Sequence, residues 1–122
     1  METIITIDGI INGLNGKHGL IREHFHAAKK TRERYKLLIM SQTRNRHKGK
    51  VIIEYTGYKV RLMDWDNFCA SFKHLGDALV KADVIKDDNP KIVTKFVCDQ
   101  IKVSKRIEQK VVIKIKDIIK CL

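Results

Sequence analysis

The chain has 122 residues, 25 Lys+Arg against 14 Asp+Glu, a formal net charge of +11 at pH 7, 43% hydrophobic residues and 32% charged residues. That length fits one domain with its own core, and that composition excludes a disordered tail, a collagen or a coiled coil. No apolar run approaches the roughly 20 residues of a membrane span. Asp8, with no basic segment before Ile4 and Ile5, argues against a signal peptide. Cys69, Cys98 and Cys121 are odd in number and widely spaced, and read as reduced thiols of a cytoplasmic protein.

In chain order, the β-branched run Thr3–Ile7 predicts a short strand. Gly9, Gly13 and Gly16, with Asn12 and Asn15, mark a loop. A helix is expected from Leu20 to about Met40, with Ile21, Phe25, Ala28, Tyr35 and Ile39 on one stripe. Lys29 and Lys36 share another face with Arg22, while Arg32 sits on the apolar stripe, either snorkelling or facing an anion site. Residues 41–50 form a basic connector with Arg44, Arg46, Lys48 and Lys50. Val51–Tyr58 predicts a strand that Val60–Met63 could extend. Asn67–Lys81 predicts one second helix, with Phe68, Phe72, Leu75, Leu79 and Ala82 on its core stripe. Asp87-Asp88-Asn89-Pro90 is a turn. Ile92–Val103 and Val111–Ile118 predict two last strands, the latter with Val111, Ile113 and Ile115 on its buried face. The order β-α-β-α-β-β makes an α+β single domain with a mixed sheet over residues 1–122.

Charge is uneven along this order. Residues 17–50 hold eleven Lys/Arg against Glu23 and Glu33, whereas residues 64–88 hold six Asp against Lys73, Lys81 and Lys86. The basic excess points to a polyanion, nucleic acid or an anionic membrane. A membrane surface fits poorly, because no strongly basic helix carries a wide apolar face. The acidic island inside a basic chain suggests a cation site to which the basic surface delivers a phosphate, because Mg²⁺ is held by a few carboxylates plus substrate phosphates. Asp64 and Asp66 are two apart at a strand end, so both can project to one side. Asp66 stands where a helix N-cap belongs. On one continuous helix Lys73, Asp77 and Asp66 fall at about 140°, 180° and 160° from Phe68, away from the core. Trp65, inside this motif, is expected to pack in the core or, as the second choice, at a dimer interface. His18, His24, His26, His47 and His74 show no zinc spacing with the cysteines, and no phosphate-binding glycine loop or dinucleotide fingerprint is present.

The ordered set Asp64-Trp65-Asp66-Asn67, Lys73, Asp77-Ala78-Leu79 and Val84-Ile85-Lys86-Asp87-Asp88 resembles the RusA family of Holliday junction resolvases. Two positions depart from the family pattern. Gly13-Leu14-Asn15 stands where a proline-rich stretch and Ser-Leu-Asn are usual, and Asp83 stands where Gly is common. Asp tolerates the left-handed backbone that such a Gly would serve. The resemblance implies a homodimeric endodeoxyribonuclease that resolves four-way DNA junctions by paired nicks, with Mg²⁺ or Mn²⁺ and no organic cofactor. Carried over by position, it implies Asp64, Asp66 and Asp88 as catalytic and metal-binding carboxylates, Asp87 as a possible metal neighbour and Lys73 as the catalytic lysine. Asn15, Lys29, Arg32, Lys36, Arg44, Arg46 and Lys48 are the candidate DNA contacts. A less selective metal-dependent DNA nuclease and a non-catalytic nucleic-acid binder remain as alternatives at this point.

Overall fold

The alternation of apolar residues along the strands decides the architecture. In a computed structural model, which describes residues 1–9 and 25–118, four strands form one mixed sheet: β1 (Glu2–Asp8), β2 (Val51–Lys59), β3 (Val93–Lys102) and β4 (Lys110–Asp117), in the order β1-β4-β2-β3. β4 lies antiparallel to both β1 and β2, and β3 runs parallel to β2. A parallel pair needs a crossover, which two short helices supply. Cross-strand partners place Ile5 opposite Ile113, and Tyr55 opposite Ile113 on the other side. Ile5, Ile7, Val51, Ile53, Tyr55, Val111, Ile113 and Ile115 are all buried on one face. The opposite face is half-wet, with Glu54, Lys114 and Lys116 on it, and Lys116 pairs with Glu54 at 3.7 Å.

Three helices cover the buried face: α1 (Phe25–Gln42), α2 (Trp65–Ala70) and α3 (Lys73–Lys81). Tyr35 and Ile39 of α1, and Phe68, Leu75, Ala78 and Leu79 of α2 and α3, complete the core. The chain is therefore a single small α+β domain with a mixed sheet, as its element order predicts. Among the described residues no helix is long and apolar enough to cross a membrane.

Several boundaries differ from expectation. The loop with Asn15 and the start of the first helix lie outside the described residues, as does Cys121. β2 ends at Lys59 and does not continue through Val60–Met63, because Met63 is held by the Gln100 side chain instead. The expected second helix is two helices, broken at Ser71 and Phe72. There the amides bond three residues back, Ser71 to the Phe68 carbonyl at 3.0 Å and Phe72 to that of Cys69 at 3.2 Å. The Ser71 hydroxyl meanwhile shares a 2.9 Å hydrogen bond with the Tyr55 hydroxyl. Asp66 therefore stands on α2 and Lys73 and Asp77 on α3, rather than on one continuous helix. Trp65 is 57% exposed rather than in the core.

A buried polar chain ties the ends of the sheet together. Asp117 can only accept, so His47 Nδ1 donates to it at 2.7 Å, and His47 Nε2 then accepts from the Thr3 hydroxyl at 2.7 Å. Asn45 donates to the same hydroxyl at 3.0 Å. The His47 contact holds the Asp117 carboxyl below its ordinary value of 3.8. A depressed carboxylate stabilises above that ordinary value, and its contribution disappears as pH falls through the lower folded value. Asp117→Ala leaves the buried imidazole N–H without its acceptor, and should cost about 1–3 kcal/mol in urea melts at neutral pH. The loss should shrink as the pH is taken below 3.8 in the same melts.

Candidate active site

Two acidic groups emerge from this scaffold, each positioned by a different local device. The first is Asp64 and Asp66 at the start of α2. The Met63 backbone is clamped to β3 at two points: its N–H donates to Gln100 Oε1 at 2.9 Å, and its carbonyl accepts from Gln100 Nε2 at 2.9 Å. Lys59 Nζ reaches Met63 Sδ at 2.7 Å, and burial lowers the Lys59 pKa. Asp64, not Asp66, is the N-cap of α2. Its carbonyl accepts from the Phe68 N–H at 2.9 Å, but its carboxylate makes no capping bond. Asp66 lies one residue into the first turn and accepts from the Asn67 N–H at 2.9 Å. Both are exposed.

An aromatic stack seats α2 on the sheet. Phe68 lies on Tyr55 with ring centroids 4.8 Å apart and planes within 6°. Gly57 makes that approach possible, because a Cβ there would stand 2.5 Å from the Phe68 ring. Burial raises the Tyr55 hydroxyl well above its ordinary value, with the Ser71 hydrogen bond opposing the shift.

The second group is Asp77, Asp87 and Asp88. α3 ends in a Schellman turn: Val84 N–H bonds the Leu79 carbonyl at 3.0 Å, and Asp83 N–H bonds that of Val80 at 3.0 Å. Asp83 takes the required left-handed conformation at φ 60°, so the residue standing in for glycine keeps the turn. Buried Val84 and Ile85 then carry the chain back along α3 to Asp87 and Asp88. Asp87 holds this turn, accepting from the Asp88 N–H at 2.8 Å and from Asn89 Nδ2 at 3.0 Å. Asp88 is left to face the cleft, where it passes over Gly76 of α3.

Asp77 and Asp88 line two adjoining cavities. One, of about 350 Å³, is completed by Arg32, Val80, Lys81 and Asp87. The other, of about 380 Å³, includes Lys73, Gly76, Phe72 and Phe96. Partial burial raises the Asp88 pKa, and the neighbouring Asp87 and Asp77 carboxylates add to it. Crowded carboxylates of this kind favour a proton or a bound cation. Arg32, which broke the apolar pattern of α1, is the cation that α1 sends to this cleft.

Not every candidate converges. Asp64 and Asp66 leave the sheet beside Gln100, whereas the Asp88 cleft abuts Val93 and Phe96 near the other end of β3. Among the described residues no three His, Cys, Asp or Glu side chains group as a metal-binding set. Lys29 lies along an outer groove of α1 with Lys30 and Arg34, away from both acidic groups. Lys36 lies on the same helix, and Arg44, Arg46 and Lys48 stand exposed on the connector, with Arg46 3.8 Å from Asp83. Asn15 lies outside the described residues. Two groupings had no signal in the sequence. One is the His47–Asp117 chain, whose members are 70 residues apart. The other is the meeting of Cys69 with Cys98, where burial and the neighbouring sulfur push the Cys98 thiol up to about 12.

No model of a protein family matches the chain, and no curated protein matches it.

Two outcomes follow from this geometry. Gly57→Ala should destabilise by about 1–3 kcal/mol through displacement of Phe68, read as a lower urea midpoint with an unchanged slope. Asp88→Asn should do the opposite. A raised carboxyl destabilises once ionised, so the variant should melt higher than the parent at pH 7. That advantage should vanish below the ordinary Asp value of 3.8, where both side chains are neutral.

Proposed function

We propose that the protein is a metal-dependent, structure-specific endodeoxyribonuclease that resolves four-way DNA junctions. The observation that carries the reading is the cleft itself. Asp77 and Asp88, eleven positions apart in the chain, meet there with Lys73 and Arg32. Carboxylates and cations in one open cleft suit a phosphodiester brought against a divalent ion. The ordered motif from Asp64 to Asp88 that resembles the RusA family supports the same reading.

The proposed holders of Mg²⁺ or Mn²⁺ are Asp64, Asp66 and Asp88, which stand in two separate acidic groups, Asp64 with Asp66 and Asp88 with Asp77 and Asp87 beside it. Partial burial and then the neighbouring carboxylates disfavour the ionised Asp88, a cost that a bound cation would relieve, and the Asp64 carboxylate caps nothing. A bound divalent ion supplies a water of lowered pKa and polarises the phosphate. Lys73 stands at the cleft wall to offset charge on the phosphoryl oxygens. Arg32 lines the adjoining cavity, where a guanidinium can fork onto a backbone phosphate. The exposed Arg44, Arg46 and Lys48 give a sequence-independent attraction to the DNA backbone that weakens with salt. Selectivity then rests on junction shape, and a two-copy assembly would match the two-fold symmetry of the junction.

The test is cleavage of a labelled four-way junction beside a matched duplex, with Mg²⁺ or EDTA. Paired symmetric nicks are expected on the junction alone. Asp66→Asn and Asp88→Asn should each lower the rate at least about a hundredfold while retaining junction binding, and Lys73→Ala should do so by about a hundredfold. Arg32→Ala should weaken binding and flatten its salt dependence. Equal cutting of duplex would replace the resolvase reading with a general nuclease. Binding without cutting in either metal would leave a structure-specific binder.

A further inference from the structure

The two edges of the sheet are treated differently. The outer edge of β1 is engaged by α1 at Thr6, where Gln42 donates to the Thr6 carbonyl at 2.7 Å and accepts from the Thr6 N–H at 2.8 Å. β3 is the other edge, and among the described residues no strand pairs with its outer side. It is ten residues long, contains no proline, and is exposed over most of its length. Phe96, Val97 and Ile101 are among its exposed apolar side chains, at 39%, 37% and 42%. A long, apolar, open edge is a template for another strand. We propose that this edge is the interface at which two copies of the chain join, β3 antiparallel to β3, about a twofold axis at Val97.

The register follows from the backbone and the charges. Lys59 pairs with Lys102, and its carbonyl accepts from the Val103 N–H at 2.9 Å. In a parallel ladder this turns the odd-numbered residues of β3 toward β2. The only shift in the pairing lies before Lys95, so Phe96, Cys98 and Gln100 turn their N–H and C=O groups outward. Residues that share bonds across a twofold axis must both face outward, so the axis can pass only through a residue and not between two. An axis at Lys95 or Asp99 would set that charge against itself. An axis at Phe96 would set Lys95 against Val97 and leave Asp99 without a partner charge. An axis at Cys98 would set Lys95 against Ile101 and Asp99 against Val97. At Val97 alone, Lys95 of each copy faces Asp99 of the other and Val97 faces its own counterpart. Phe96 and Cys98 then exchange backbone hydrogen bonds across the axis. Lys95, Val97, Asp99 and Ile101 all lie on the sheet face that carries no helix, in line with Ile52, Glu54, Thr56 and Tyr58. Opposite charges directly across an antiparallel pair stabilise it, and like charges destabilise it. An isologous contact of this kind closes at two copies and does not propagate.

The inference gives a surface to the two-copy part of the reading above. It is tested by association alone, so its failure leaves the cleavage assay untouched, and a failed cleavage assay leaves it standing. Sedimentation of the full chain should show a dimer. Lys95→Asp and Asp99→Lys should each raise the dimer dissociation constant about tenfold or more, because each sets two like-charge pairs across the axis. Mixing these two variants should restore dimers of mixed composition, because the Asp at 95 then faces the Lys at 99 and Asp99 faces Lys95. The mixture also shows that both variants are folded. Amide exchange at Phe96 and Cys98 should slow as concentration rises, with Lys95 and Val97 unchanged. A chain that stays monomeric at its highest soluble concentration would overturn the proposal. So would single variants that dimerise as the parent does, or single variants that lose the dimer and fail to recover it on mixing.

Discussion

Four aromatic rings hold the working parts of this domain in relation to each other. Tyr55 on β2 stacks on Phe68 of α2, reaches Phe72 at the helix break with centroids 5.1 Å apart, and lies 6.4 Å from Phe96 on β3. Phe72 and Phe96 close the ring at 4.8 Å and form part of the wall of the acidic cleft. Each such pair contributes about 0.5–1.5 kcal/mol beyond the area it buries. The cluster depends on one absent side chain, because Gly57 leaves the space in which Phe68 lies flat. It also depends on one hydroxyl, because Ser71 interrupts the helix and bonds Tyr55. The rings thereby fix where α2 starts and where α3 points. The positions of Asp64, Lys73 and Asp77 all descend from them.

Electrostatics explain why the acidic cleft can persist in a chain of net charge +11. Asp77, Asp87 and Asp88 repel one another, and partial burial of Asp88 strengthens the effect. The fold answers with Arg32 and Lys81 in one cavity and Lys73 in the next. Arg32 lines the same cavity as Asp77, Asp87 and Asp88. In the proposed reading the carboxylates of this cleft take the metal cation and its Lys and Arg side chains take the phosphate. The surrounding basic surface raises the local concentration of polyanions without deciding between them.

Much of this was legible in the sequence wherever one pattern had one cause. The strict alternation of Val111, Ile113 and Ile115 gave β4 and its buried face, since period two has no other common origin. The turn after α3 was expected only through the resemblance, in which Gly is common where Asp83 stands, and Asp tolerates the positive φ found there. Arg32 was visible as a cation out of place. What failed were readings that assumed continuity. The stripe from Phe68 to Ala82 fits one helix as well as two, and only the Tyr55–Ser71 contact, sixteen residues apart, distinguishes them. The single face expected to carry Asp66, Lys73 and Asp77 is divided between two helices, and Trp65 is exposed. The parallel pairing of β2 with β3 and the His47–Asp117 bond are long-range and leave no local periodicity.

The start of α2 shows a different economy. An Asp at an N-cap ordinarily bonds a backbone N–H of the first turn, which contributes about 1 kcal/mol. Asp64 occupies that position without making the bond. The helix start is secured instead by groups behind it: Gln100 holds both backbone groups of Met63, Lys59 reaches the Met63 sulfur, and Phe68 locks the first turn onto Tyr55. Three independent restraints therefore do what the carboxylate could have done. A side chain released from a structural task that its position offers is free for a ligand. The proximity of helix N–H groups stabilises its negative charge. Asp87 and Asp88 divide the same two roles between neighbours, since Asp87 bonds the turn and Asp88 faces the cleft. At the start of α2 the fold thus secures its backbone by other means and leaves the Asp64 carboxylate without a capping bond.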